Sequence, residues 1–312
     1  MRKRWQIGVT VVIAVLVPTS IALGHGDVHE RIAALTEEIE QQPGDAALYV
    51  RRGSLYALDE SWAQALLDYE SAGRVEPSAP NIDFLKAKVL VELEENERAV
   101  ALLDSVLSQE PEHADGYLIR ARAHVALGHI DEGTDDYTRA IALFERPAPR
   151  YYLERARALI DAGRVDEALA ALREAVADLG PLPSLVELAV EEEEKRGHYE
   201  EALRWADLLS PTLRHSPRWR AIAGNLAHQL GQASRAEDEY RKALAAIDAL
   251  PPARQGTEAM TALRTELTSR LETLAPSLST EAASAYPTGL VGQGLALAIL
   301  VALGILVVRV RK

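Results

Sequence analysis

The stretch DAGRVDEA, residues 161–168, reads as ordinary polar helix until the remainder of the chain is set beside it. ALGHIDEG follows the same plan at 126–133, KRGHYEEA at 195–202 and QLGQASRA at 229–236, with fainter versions LDESWAQA at 58–65 and ELEENERA at 92–99. Gly128, Gly163, Gly197 and Gly231 stand 35, 34 and 34 residues apart. Five places after each comes Gly133, Ala168, Ala202 or Ala236, and Ala65 and Ala99 carry that series backwards. Pro43, Pro77 and Pro111 keep the same 34-residue interval. A fixed period of this length is the mark of a stacked repeat. No strand-type alternation appears inside the units, and each reads as two amphipathic helices joined by a tight turn. Glycine suits the turn because a chain leaving a helix often adopts a left-handed conformation. The small residue five places on lets the second helix approach the first, and proline ends the unit.

These residues carry a resemblance to the tetratricopeptide repeat family. The first unit matches through Tyr49, Gly53, Tyr56, Trp62, Ala65, Tyr69, Ala72 and Pro77, and the third through Tyr117, Ala121, Gly128, Tyr137 and Ala140. Tyr152, Ala156, Gly163, Ala168 and Ala175 mark the fourth unit, and Gly224, Gly231, Ala236, Tyr240 and Ala243 the sixth. The second and fifth depart most, with Leu103 and Ala206 where the pattern has an aromatic. The resemblance implies an all-α fold, a right-handed α-solenoid of six helical hairpins over residues 46–252. A capping helix is expected at 25–45, and a second at 253–279, where Met260, Leu263, Leu267, Leu271 and Leu274 share one face. A polar linker is expected at 280–288.

The two ends have another character. Residues 1–24 set a basic start (Arg2, Lys3, Arg4) before an apolar core and small residues, the layout of a signal peptide cleaved after Ala22 or Gly24, with an uncleaved anchor as the alternative. Residues 289–308 form an apolar run of membrane-spanning length, followed by a basic tail at 309–312 with Arg309, Arg311 and Lys312. Basic residues stay on the cytoplasmic side, so the repeats are expected outside the cytoplasm, on a single-pass protein of the cell membrane. Six basic residues and no acid lie in these ends, which leaves the stretch between them at a net charge of −19 rather than the −13 of the whole chain. Such acidity disfavours nucleic acid and anionic lipid as partners. With no cysteine, disulfides, thiolate metal sites and a cysteine nucleophile are excluded.

No nucleophile elbow, phosphate loop or HExxH motif is present, so no catalytic residue and no cofactor is expected. His129 and His198 fall in inter-helix turns and are expected to be solvated, with His124 packed. The acid pairs Asp135/Asp136 and Glu200/Glu201 read as outer faces of second helices. Cleavage after Gly24 would expose HGDVHER, in which the His25 amine and imidazole with Asp27 and His29 offer ligands for copper or zinc. The alternative is a polar terminus with Asp27 as a helix N-cap.

In the family, positions 2, 5, 9 and 12 of each unit line a concave groove. By that resemblance the lining is Phe84, Lys88 and Val91 in the second unit, Leu118 and Arg122 in the third, and Arg150, Leu153 and Arg157 in the fourth. Glu187, Glu191 and Glu194 follow in the fifth, then Asn225 and His228 in the sixth. Lys88, Arg122 and Arg157 share position 9, beside the apolar Phe84, Leu118 and Leu153 at position 5. This patterning suits an extended peptide or partner helix of the cell envelope. The alternative is an internal ladder in which Arg157 and Glu191 pair. The family's clamp for a terminal carboxylate is not reproduced, since Val50 and Ser54 stand where Lys and Asn are required. The expectation is a non-enzymatic, membrane-tethered scaffold. Its rivals are a surface module cut at a C-terminal sorting signal near Tyr286 and the metal-handling protein based on His25.

Overall fold

The computed structural model describes residues 22–77 and 80–284, and these are helical throughout with no strand. α1 (Ala22–Gln41) leads into the first hairpin, α2 (Ala46–Leu58) with α3 (Trp62–Val75). The second pairs α4 (Pro80–Glu92) with α5 (Asn96–Gln109), and the third α6 (Ala114–Ala126) with α7 (Ile130–Leu143). The fourth pairs α8 (Pro149–Asp161) with α9 (Val165–Leu179), and the fifth α10 (Pro183–Lys195) with a short α11 (Tyr199–Asp207). A one-turn α12 (Pro211–Arg214) precedes the sixth hairpin, α13 (Pro217–Gln229) with α14 (Ala233–Asp248). A short α15 (Pro252–Gln255) and the long α16 (Glu258–Ser284) complete the described chain. Contacts divide the described residues into two compact units, with the boundary after Tyr151, within each of which successive helices pack in chain order.

The hairpin turn recurs with one geometry. In each, the amide three residues past the first helix's end reaches back five residues: Glu95 N–H to Leu90 O at 2.8 Å, His129 N–H to His124 O at 2.9 Å, Arg164 N–H to Leu159 O at 2.8 Å. That bond requires a left-handed residue just before it. Gly128 supplies it at φ 78°, and Gly163, Gly197 and Gly231 do likewise. In the first two hairpins Glu60 (φ 58°) and Glu94 (φ 61°) hold the same conformation with a side chain. The faint copies of the repeated phrase therefore form the same turn at a steric cost of about 1–2 kcal/mol each.

Inside the hairpins, the residue eight places into the first helix faces the residue sixteen later in the second. Their sizes compensate. A Cβ on Gly53 would stand 2.8 Å from Tyr69 Cε1, and one on Gly224 would overlap the Tyr240 ring. The equivalent positions hold Ala87 and Leu103, Ala121 and Tyr137, Ala156 and Leu172, then Val190 and Ala206, all buried. The two tyrosines beside glycine also satisfy their hydroxyls: Tyr69 lies 3.2 Å from Ser54 Oγ, and Tyr240 donates to Asn225 Oδ1 at 2.8 Å.

The ends of the described chain are covered by amphipathic helices. Val28, Ile32, Leu35 and Ile39 of α1 pack on Leu48 and Leu55 of α2. Leu267 and Leu274 of α16, with Met260, Leu263 and Leu271 partly buried, close over Tyr240, Ala243 and Ile247 of α14. α16 continues to Ser284, so part of the expected linker is helical, and α1 starts at Ala22, which places Asp27 inside a helix rather than at its N-cap. The expected signal segment up to residue 21 and the expected spanning segment 289–308 lie outside the described residues. Among those that are described, no helix is long and apolar enough to cross a membrane.

Candidate functional site

In the first unit, the face of α4 carries Phe84, Lys88 and Val91 at helical spacing. Phe84 and Val91 are half-buried against the core, and Lys88 is exposed with its ammonium 5.7 Å from the centre of the Phe84 ring. The other neighbour of that ring is His113, with centroids 4.6 Å apart. Leu118 departs from expectation. It is 3% exposed, in a cluster with Tyr137 and Tyr151, and the stacked pair Phe144–Tyr151 closes that cluster, so it offers no surface to a partner. Arg122 is half-buried and engaged in an interaction of its own. Arg150 is exposed and folds back on its neighbour, donating to Tyr151 Oη at 3.0 Å with its guanidinium 4.9 Å from that ring.

In the second unit, Leu153 is half-buried and Arg157 exposed. In place of the Arg157–Glu191 ladder that stood as the alternative, Glu191 pairs within α10, meeting Lys195 at 2.9 Å. Pairing between hairpins falls instead on Glu187 and Arg218. Burial pushes the Glu194 carboxyl above the ordinary range, and Glu191 adds to the push. Asn225 is committed to Tyr240, whereas His228 is exposed.

Other titratable groups serve the framework. Asp136 was expected on an outer face but is 6% exposed and takes both Nε and Nη2 of Arg120, at 2.7 and 2.8 Å. Arg52 and Asp68, two repeat lengths earlier, make the same forked pair at 2.8 and 2.7 Å. Arg155 reaches Glu174 at 2.6 Å and Arg220 reaches Glu239 at 2.7 Å, each shifted by one helical turn at one end. The signal was in the sequence as an Arg and an Asp sixteen apart, repeated after 68 residues. His129 and His198 are both exposed, as expected of turns, and His198 also keeps its Nδ1 3.1 Å from the buried Glu193. Asp27 and His29 are exposed on α1, and the His25 side chain lies outside the described residues. Among the described residues, no three His, Asp or Glu side chains form a group able to hold a metal ion.

Among the candidate first-helix residues, exposed charge or polarity stays at Lys88, over the half-buried Phe84 with Val91, in the first unit, and at Arg157 and His228 in the second. Neither set carries a nucleophile with a base.

The tetratricopeptide repeat family model matches residues 84–132 and 120–182. No curated protein matches the chain. Among solved structures, a tetratricopeptide repeat protein from Parabacteroides merdae is similar at 18% identity and a TM-score of 0.49, over 80% of this chain and 96% of that one. A crystal structure of MamA is similar at 16% identity and 0.46, over 52% and 94%. The portion of Desulfovibrio magneticus MamA from residue 41 onward gives 16% and 0.46, over 51% and 89%.

Proposed function

We propose, on the premise that this is a tetratricopeptide repeat protein, that it is a non-enzymatic scaffold holding a partner protein of the cell envelope on the faces of its first helices. The observation that carries this reading is on α4, where an exposed lysine lies over a half-buried phenylalanine beside a half-buried valine. The Lys88 stem covers apolar surface while its charge stays in water, and the half-buried Phe84 is a residue type enriched where proteins meet. Arg157 beside Leu153 offers a similar pairing in the second unit. The apolar run at 289–308 with the basic residues after it supports a single-pass anchor, with the repeats outside the cytoplasm.

The test is affinity capture from detergent-solubilised native membranes, comparing the wild type with a Lys88→Glu, Arg157→Glu variant whose helicity is checked by circular dichroism. Arg122 is left intact because it already has an interaction of its own. An envelope protein captured by the wild type and lost with the variant supports the reading. An identical set from both chains ends it. Mass spectrometry of the mature C-terminus reports separately on the anchor: a terminus at Lys312 supports retention, and a cut near Tyr286 supports a processed surface module.

A further inference from the structure

α6 opens with His113, Ala114, Asp115 and Gly116, and the side chain that closes its first turn is an imidazole. His113 Nδ1 accepts the Gly116 N–H at 2.9 Å. Two repeat lengths earlier a carboxylate does this work for α2, where Asp45 Oδ1 accepts the Ala47 N–H at 2.9 Å. Acceptance at Nδ1 requires a lone pair there, hence a neutral ring with its proton on Nε2. The site is shaped for the ring: a Cβ on Gly116 would stand 3.2 Å from His113 Nδ1 and 3.0 Å from Leu107 Cδ2. The same ring packs on Phe84 of the preceding hairpin, tilted 48° at 4.6 Å. One side chain therefore ties the start of α6 to the apolar platform of α4.

A second proton on the ring reverses this arrangement. Nδ1–H would then face the Gly116 N–H, and a full positive charge would sit at the positive end of a 13-residue helix. The charged neighbours come from three elements. The loop before α6 supplies Glu110, whose Oε2 lies 3.9 Å from Nε2, and Glu112; α6 supplies Asp115; α4 supplies Lys88, above the same phenylalanine. α5 contributes the apolar Leu107. Glu110 gives a departing imidazolium a partner off the helix end, and Lys88 repels it from the Phe84 side.

We propose that His113 is an acid-released clasp between the second and third hairpins: neutral, it caps α6 and covers one side of Phe84; protonated, it lets go of both. The clasp stands on its own geometry, and its consequence for a bound partner rests on the reading of the α4 face given above. The cap exists only while Nδ1 is unprotonated, because a protonated Nδ1 has no lone pair to accept the Gly116 N–H.

The full chain in detergent, wild type and His113→Asn, would be followed by hydrogen–deuterium exchange at the start of α6. Rates would be compared at about pH 7.5 and about pH 5, near-neutral and acidic conditions between which imidazoles gain a proton in proteins generally, and corrected for intrinsic exchange. Asparagine caps at both values. The expected result is a loss of protection of about fivefold at residues 114–118 in the wild type on acidification, the size of one N-cap, and none in His113→Asn. His124, shared by both chains, cancels in the comparison. Equal pH dependence in the two chains, or no loss in the wild type, overturns the clasp. A captured partner that the wild type releases at low pH and His113→Asn retains extends the clasp to recognition. A partner retained by both removes that extension and leaves the scaffold reading standing.

Discussion

Glu94 and Gly128 occupy the same place in successive hairpins and the same left-handed conformation, yet only one of them is suited to it. Replacing Glu94 by glycine is expected to raise stability by about 1 kcal/mol, the left-handed penalty less glycine's added freedom in the unfolded chain. A higher thermal midpoint for the variant would bear this out, and an unchanged one would show that the turn carries no strain. His124 sits one turn before that glycine. Burial lowers the affinity of its ring for a proton, against the pull of Asp136, and its Nδ1 has no partner. The unfolded chain then binds the proton more readily, so stability is full above the ordinary imidazole pKa of about 6.5 and falls as pH drops through the lowered value. His124→Gln is expected to flatten the dependence of the thermal midpoint on pH in that window. The turn glycines were legible in the sequence because their requirement is local. The burial of Leu118 was not, because it depends on Phe144 and Tyr151, brought over it from the next connection.

At the scale of the helix pair, the hairpins hold together through matched volumes and forked Arg–carboxylate pairs. Gly224→Ala alone is expected to cost about 1–3 kcal/mol, since the new methyl group meets the Tyr240 ring. Joined with Tyr240→Leu it recreates the Ala–Leu combination found at Ala87 and Leu103. The double variant is therefore expected to be more stable than the two single losses predict, with a coupling of about 1 kcal/mol or more in denaturant titrations. Simple addition of the losses would mean that the positions are independent. The period and the small residues marked where hairpins begin, but the compensation between positions sixteen apart is invisible to a single-position pattern. Leu103 and Ala206 look like departures from the family one at a time and are accommodated once Ala87 and Val190 are read with them. The same holds for Asp136, which looks like surface charge until Arg120 is placed sixteen residues before it.

For the molecule as a whole, the covering helices decide whether each unit can stand in water. Truncation after residue 257 removes α16 and bares Tyr240, Ala243 and Ile247. The shortened chain is expected to bind a hydrophobic dye and to lose the unfolding transition of its second unit, as measured by calorimetry; a retained transition would show that α16 is dispensable. The amphipathic face of α16 could be read from the spacing of its leucines, whereas the inward face of the first helices could not be divided into core and surface, because Leu118 and Asn225 hold inward positions that packing and a hydrogen bond take up. The matched pairs also bear on how such a chain lengthens over generations. A crossover between copies that exchanged one helix would set Val190 against a tyrosine or Gly53 against an alanine, a clash in one product and a void in the other. Exchange of an entire 34-residue block keeps each large residue with its small one. Duplication of this gene segment is thus constrained to move in whole hairpins, and the faint first two copies of the phrase can diverge at their turns without losing the partners inside them.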